Sequence, residues 1–86
     1  METLPELGKL RWHCRRGTRE LDVLVTRYLE KYYEDAPLED KWSFIRLLEC
    51  QDPDLIAWIM GHRNDFPDAG VARIIHVLSN VQSLRD

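Results

Sequence analysis

The strongest constraint on this chain is one stretch of helical periodicity: Leu21, Leu24, Val25, Tyr28, Leu29 and Tyr32 fall at i, i+3, i+4, i+7, i+8 and i+11. That spacing puts all six on one face of an α-helix and leaves the other face for solvent. An apolar stripe of this length is not stable alone, so the rest of the chain must supply surfaces to cover it. The pattern predicts a helix from Thr18 to about Tyr33 or Glu34.

The other segments offer matching faces. Leu7, Leu10 and Cys14 predict a short first helix that Gly17 closes, taking backbone angles denied to other residues. Trp12 lies off that stripe and four residues before Arg16, which predicts an outward pairing of indole and guanidinium; packing of Trp12 on a later helix is the alternative. Pro37 opens a third helix bearing Leu38, Phe44, Ile45, Leu47 and Leu48, with Trp42 at the edge. Asp52-Pro53-Asp54 reads as an Asp cap followed by proline at the first helical position, and Gly61 as the left-handed stop after Leu55, Ile56, Trp58, Ile59 and Met60. Val71, Ile74, Ile75, Leu78 and Val81 mark a last helix, with His76 and Ser79 opposite. Strand alternation and hairpin dipeptides are missing from the sequence. The expected architecture is all-α, a compact bundle of about five short helices forming a single domain over residues 1–86.

Composition narrows the function. Hydrophobic residues make up 44% and charged ones 31%, and no apolar run approaches the ~20 residues that span a bilayer, so membrane insertion is not expected. The acidic start, Met1-Glu2-Thr3-Leu4-Pro5-Glu6, lacks the layout of a secretory or transit signal, which points to the cytoplasm. Cys14 and Cys50 lack CxxC spacing and are expected to be packing thiols. A formal charge of -3 argues against nucleic acid as a partner. The charge is uneven, however: half of the twelve Lys and Arg fall between Lys9 and Arg27, whereas Glu30, Glu34, Asp35, Glu39 and Asp40 surround the next junction. A locally basic end suits docking on a protein of complementary charge.

Catalytic and metal chemistry find little support. The four glycines are scattered, so there is no phosphate-binding loop, and His13, His62 and His76 lie on separate segments without ligand spacing. Cys14 with His13, or Ser43 with a remote histidine, lacks a base, an orienting acid and an oxyanion site fixed together. No catalytic residue and no metal site are expected.

The residues that packing explains least are Arg15-Arg16-Gly17-Thr18-Arg19-Glu20-Leu21-Asp22. Glu20 and Asp22 suit the first turn of the second helix, where the dipole favours carboxylates. The three arginines have no such local reason. A local Arg16–Glu20 ion pair would be worth under about 1 kcal/mol, a thin reason for the arrangement. The expected partner-binding residues are Trp12, Arg15, Arg16, Gly17, Arg19 and Glu20.

This stretch resembles the Arg-Gly-x-x-Glu signature of the SdhE-type family of small succinate dehydrogenase assembly factors, also called flavinylation factors. Arg46-Leu47-Leu48-Glu49-Cys50-Gln51-Asp52-Pro53-Asp54-Leu55, followed by Trp58, is similar to the family's second block. Thr18 departs from the pattern, since relatives commonly have Met there, and it is left out of the expected site. The resemblance implies a five-helix bundle that binds the flavoprotein subunit of succinate dehydrogenase, and often that of fumarate reductase, and promotes covalent attachment of FAD to a histidine of that subunit. It carries the binding role onto Arg16, Gly17 and Glu20. It implies a non-catalytic helper, the FAD being the partner's; no tightly bound cofactor is expected, and a monomer is expected. Weak direct binding of FAD by the arginine cluster stays open. So does a regulatory role, since some members are described as antitoxins of a toxin-antitoxin pair.

Overall fold

Periodicity carries into the backbone of the computed structural model, which describes residues 4–83, with side chains as far as Asn80. The Met1–Thr3 start and the side chain of Val81 lie outside the described residues. Five helices follow in chain order: α1 Leu7–His13, α2 Arg19–Tyr28, α3 Leu38–Leu48, α4 Asp52–Ile59 and α5 Ala69–Ser83. A π-helical turn, Leu29–Tyr33, extends α2 without a break. Among the described residues there is no strand.

The core forms where the predicted stripes meet. Leu21, Leu24, Val25, Tyr28 and Leu29 are buried, as are Phe44, Leu47 and Leu48 of α3, Leu55 and Trp58 of α4, and Val71, Ile74, Ile75 and Leu78 of α5. Phe44 stacks on Tyr28 with centroids 4.7 Å apart and meets Tyr33 at 5.7 Å. Here the π turn alters the reading: its wider winding advances the chain, so Tyr33 enters the core and Tyr32 is left exposed. Leu38, placed on the apolar arc of α3, is 60% exposed, because α3 starts there, ahead of the buried turns. Pro37 stands one residue before α3 rather than inside it.

The ends of the elements follow local chemistry. Gly61 has φ +80°, and the N–H groups of Gly61 and His62 donate to the carbonyls of Trp58 and Ala57 at 3.1 and 2.8 Å, closing α4. Asp68 caps α5, its Oδ1 accepting the Val71 N–H at 2.8 Å. The α3 and α5 contact is the most extensive in the fold. It is close because Gly70 is buried where a Cβ would collide with Ser43 Oγ.

Candidate functional site

α1 stops at His13, and residues 15–18 cross to α2, whose first residue is Arg19. Cys14 ends α1 with its N–H on the carbonyls of Leu10 and Arg11 at 3.0 and 3.2 Å. Its side chain is fully buried, and burial pushes the thiol pKa up to about 11. At neutral pH the thiol is therefore protonated and serves as packing rather than as a nucleophile.

Because the helix ends before Arg16, the expected pairing of Trp12 with Arg16 does not form. Arg15 takes that place, its guanidinium 6.0 Å from the Trp12 ring, while Trp12 itself is 69% exposed. Arg16 instead turns inward, with only 13% of its side chain exposed. Its Nη2 donates to the Leu48 carbonyl, and its Nη1 lies 3.6 Å from Asp52 Oδ1. Its backbone N–H donates to Asp22 Oδ1 at 3.3 Å. Its Nε is buried without a partner among the described residues. The carboxylate that pairs with Arg16 is thus that of Asp52, not the one four residues along at Glu20.

Asp52 completes a brace between the two junctions. Its Oδ2 accepts the Gly17 N–H at 3.0 Å, so one carboxylate holds both Arg16 and the backbone of Gly17 against the start of α4. Asp52 makes no capping bond of its own; Gln51 is the residue ahead of the helix and Asp52 its first member. Gly17 does not adopt the left-handed conformation expected of it, since Gly61 is the only positive-φ residue described. A Cβ on Gly17 would meet nothing nearer than Asp52 Oδ2, at 3.6 Å, an ordinary van der Waals distance. Neither backbone angle nor internal crowding requires glycine here.

The brace leaves Trp12, Arg15, Gly17, Arg19 and Glu20 exposed together around the junction. Glu20 borders a shallow apolar depression between α2 and α4, formed with Leu21, Leu24, Ile56, Ile59 and Met60. Met60 there is 57% exposed. A backbone with no side chain, a carboxylate beside apolar surface and an indole stacked by arginine are the elements of a protein-docking face. Of the six residues expected at the partner face, Trp12, Arg15, Gly17, Arg19 and Glu20 are exposed, whereas Arg16 is largely buried against Asp52 and the Leu48 carbonyl, partners that the sequence reading missed along with Asp22. Arg16 and Asp52 are far apart along the chain, so no local spacing announces their pairing. No group of three or more His, Cys, Asp or Glu side chains suited to a metal occurs among the described residues.

The profile of the Sdh5 family, described as flavinator of succinate dehydrogenase, matches residues 8–82, nearly the whole chain. The FAD assembly factor SdhE of Shewanella oneidensis is 50% identical over 72 residues, covering 84% of this chain and 87% of that protein. The FAD assembly factor SdhE of Idiomarina loihiensis is 42% identical over 81 residues, covering 94% of this chain and 90% of that protein. In fold, the chain is similar to a UPF0350 protein solved in solution, with a TM-score of 0.74 and 33% identity, covering 99% of this chain and 92% of that one. The chain belongs to the family of succinate dehydrogenase flavinators, in agreement with the resemblance carried by its two sequence blocks.

Proposed function

We propose that this chain is a non-catalytic assembly factor that binds the flavoprotein subunit of succinate dehydrogenase and promotes covalent attachment of FAD to it. It works as a monomer in the cytoplasm, and the related flavoprotein of fumarate reductase is a second client. The FAD belongs to the partner, and any contact the chain itself makes with it is weak. Family membership supports the reaction and the client.

One observation supports the location of the docking face. Gly17 is exposed, as are Trp12 and Arg15 before it and Arg19 and Glu20 after it in the chain, yet nothing inside the fold demands a glycine there. The absence of a side chain serves a close approach by another chain. Arg16 acts from beneath, fixing the backbone that the partner meets. Glu20 and Arg15 then supply directional, charge-assisted contacts at the rim. Docking selects the flavoprotein conformation in which the groups to be joined are held close, and such positioning lowers a barrier by several kcal/mol without a catalytic residue in the helper.

The test is to incubate apo-flavoprotein with FAD and either wild-type chain or Gly17→Arg, then read in-gel flavin fluorescence. Wild-type chain should raise labelling well above the unassisted level and Gly17→Arg should not. Equal labelling would overturn the reading.

A further inference from the structure

Of the arginines, Arg11, Arg15, Arg16, Arg19, Arg27, Arg46, Arg63 and Arg73 are described. Five of them have a carboxylate within 4 Å: Arg11 with Glu30, Arg16 with Asp52, Arg46 with Asp68, Arg63 with Asp54 and Asp65, and Arg73 with Asp40 and Glu39. Arg15, Arg19 and Arg27 have none among the described residues. All three of these line the same open groove between the end of α1 and the outer face of α2.

The groove is built as a stripe. Arg19, Val23 and Arg27 lie at i, i+4 and i+8 of α2, so the two guanidinium stems rise from one helix face about 12 Å apart. Arg15 enters from the junction, and Arg11 closes the far side with its charge already shared with Glu30. Asp22 is the other acid in the wall, and its carboxylate accepts the Arg16 N–H. The groove therefore keeps a local excess of positive charge on a chain whose formal net charge is -3. Stability does not account for this. Arg19 is the first residue of α2, where the helix dipole disfavours a cation, and three unpaired cations in one groove repel each other.

We infer that this groove receives an acidic segment of the partner flavoprotein, whose carboxylates pair with Arg15, Arg19 and Arg27. This rests on the client proposed above and extends the docking face along α2 to Arg27, a residue outside the Arg-Gly-x-x-Glu stretch. Guanidinium forks suit carboxylates, and a stripe of them both accelerates encounter and fixes register along an extended or helical acidic run.

Binding of the full chain to apo-flavoprotein, measured at low and at high salt, tests the inference. Wild-type affinity should fall as salt rises; Arg27→Glu should bind about tenfold more weakly at low salt, mostly through a slower on-rate, and show less salt dependence. Arg27→Lys should recover much of the loss, and Arg73→Ala should behave as wild type. Unchanged affinity for Arg27→Glu, with a wild-type chain that binds, would overturn the groove assignment alone. A wild-type chain that does not bind the flavoprotein would overturn the proposed client, and the groove's occupant with it. FAD alone is the remaining probe: saturable binding lost in Arg27→Glu would overturn the inference by assigning the groove to a pyrophosphate.

Discussion

The two sides of this bundle treat arginine in opposite ways. On the α3, α4 and α5 side, Arg46, Arg63 and Arg73 are each held by carboxylates of neighbouring elements, at distances from 2.6 Å for Arg63–Asp54 to 3.9 Å for Arg73–Glu39. At the α1 and α2 corner, Arg15, Arg19 and Arg27 face a groove with no carboxylate of their own among the described residues. Charge satisfied within the chain ties helices together, whereas charge left open is available to another molecule. Arg16 stands between the two cases. It belongs to the corner by sequence, but it is spent inside on Leu48 and Asp52 so that its neighbours can face outward.

The largest effect expected from this contrast is a loss of binding without a loss of fold. Gly17→Arg should weaken binding to apo-flavoprotein by about a hundredfold or more, roughly 2.8 kcal/mol, because a long side chain fills the space of close approach. Its thermal midpoint should stay close to wild type, since the site is exposed and its φ is ordinary. Calorimetry beside a binding isotherm separates the two, and a variant that unfolds would erase the distinction between the sides.

Next in size is removal of the brace. Asp52→Ala leaves a largely buried guanidinium and the Gly17 N–H without their carboxylate, and should lower stability by about 1–3 kcal/mol. Unlike a simple core defect, it should also reduce binding under conditions where the variant remains folded, because Gly17 is no longer fixed. Asp52→Asn keeps an acceptor for the Gly17 N–H and should fall between. Urea titration and a binding isotherm on the same samples give both readings.

How far the sequence reveals these features depends on the range of the interactions. Spacing within one helix exposes Leu21, Leu24, Val25, Tyr28 and Leu29 correctly as core, and Gly61 as a stop, because each depends on residues within a turn or two. It fails at Tyr32, where the π turn changes the winding and brings in Tyr33 instead. It likewise fails at the pairing of Trp12, since α1 ends three residues before Arg16 and the helical offset no longer applies. The exposed corner proposed for docking draws notice in the sequence through its unusual residues. Its internal support does not, because Arg16 precedes α2 and Asp52 opens α4, so only the tertiary fold brings them together.

Alkaline pH probes the layer beneath the corner. Burial raises Cys14 from its ordinary 9.0 to about 11, and burial, reinforced by Asp40, raises Tyr28 from 10.0 to about 12. Both groups are neutral when protonated, so below pH 9 folded and unfolded chains carry the same protons at these positions and stability is unaffected. Above that, the unfolded chain releases its thiol proton first. Stability should fall as pH rises from about 9 toward 11 through Cys14, and from about 10 toward 12 through Tyr28. The loss near pH 10.5 should be about 2–3 kcal/mol, most of it through Cys14, read as a lower urea midpoint than at neutral pH. Cys14→Ser would remove the first part of this dependence if the thiol is its source.

The smallest effect belongs to the satisfied side, and it sharpens the contrast most. Arg46 makes a two-pronged contact with Asp68, Nε to Oδ2 at 3.0 Å and Nη2 to Oδ1 at 3.2 Å, and that contact holds the Asp68 carboxyl below its usual range. On paper this is a stronger arrangement than anything the corner offers. Both side chains are nevertheless more than a third exposed, so solvent screens the attraction, and Asp68 keeps its bond to the Val71 N–H when Arg46 is gone. Arg46→Ala should therefore cost about 1 kcal/mol or less and leave flavinylation of the client unchanged. A drop in flavinylation at wild-type stability would mean that paired arginines also meet the partner, and the division of the surface into a structural and a docking side would fail.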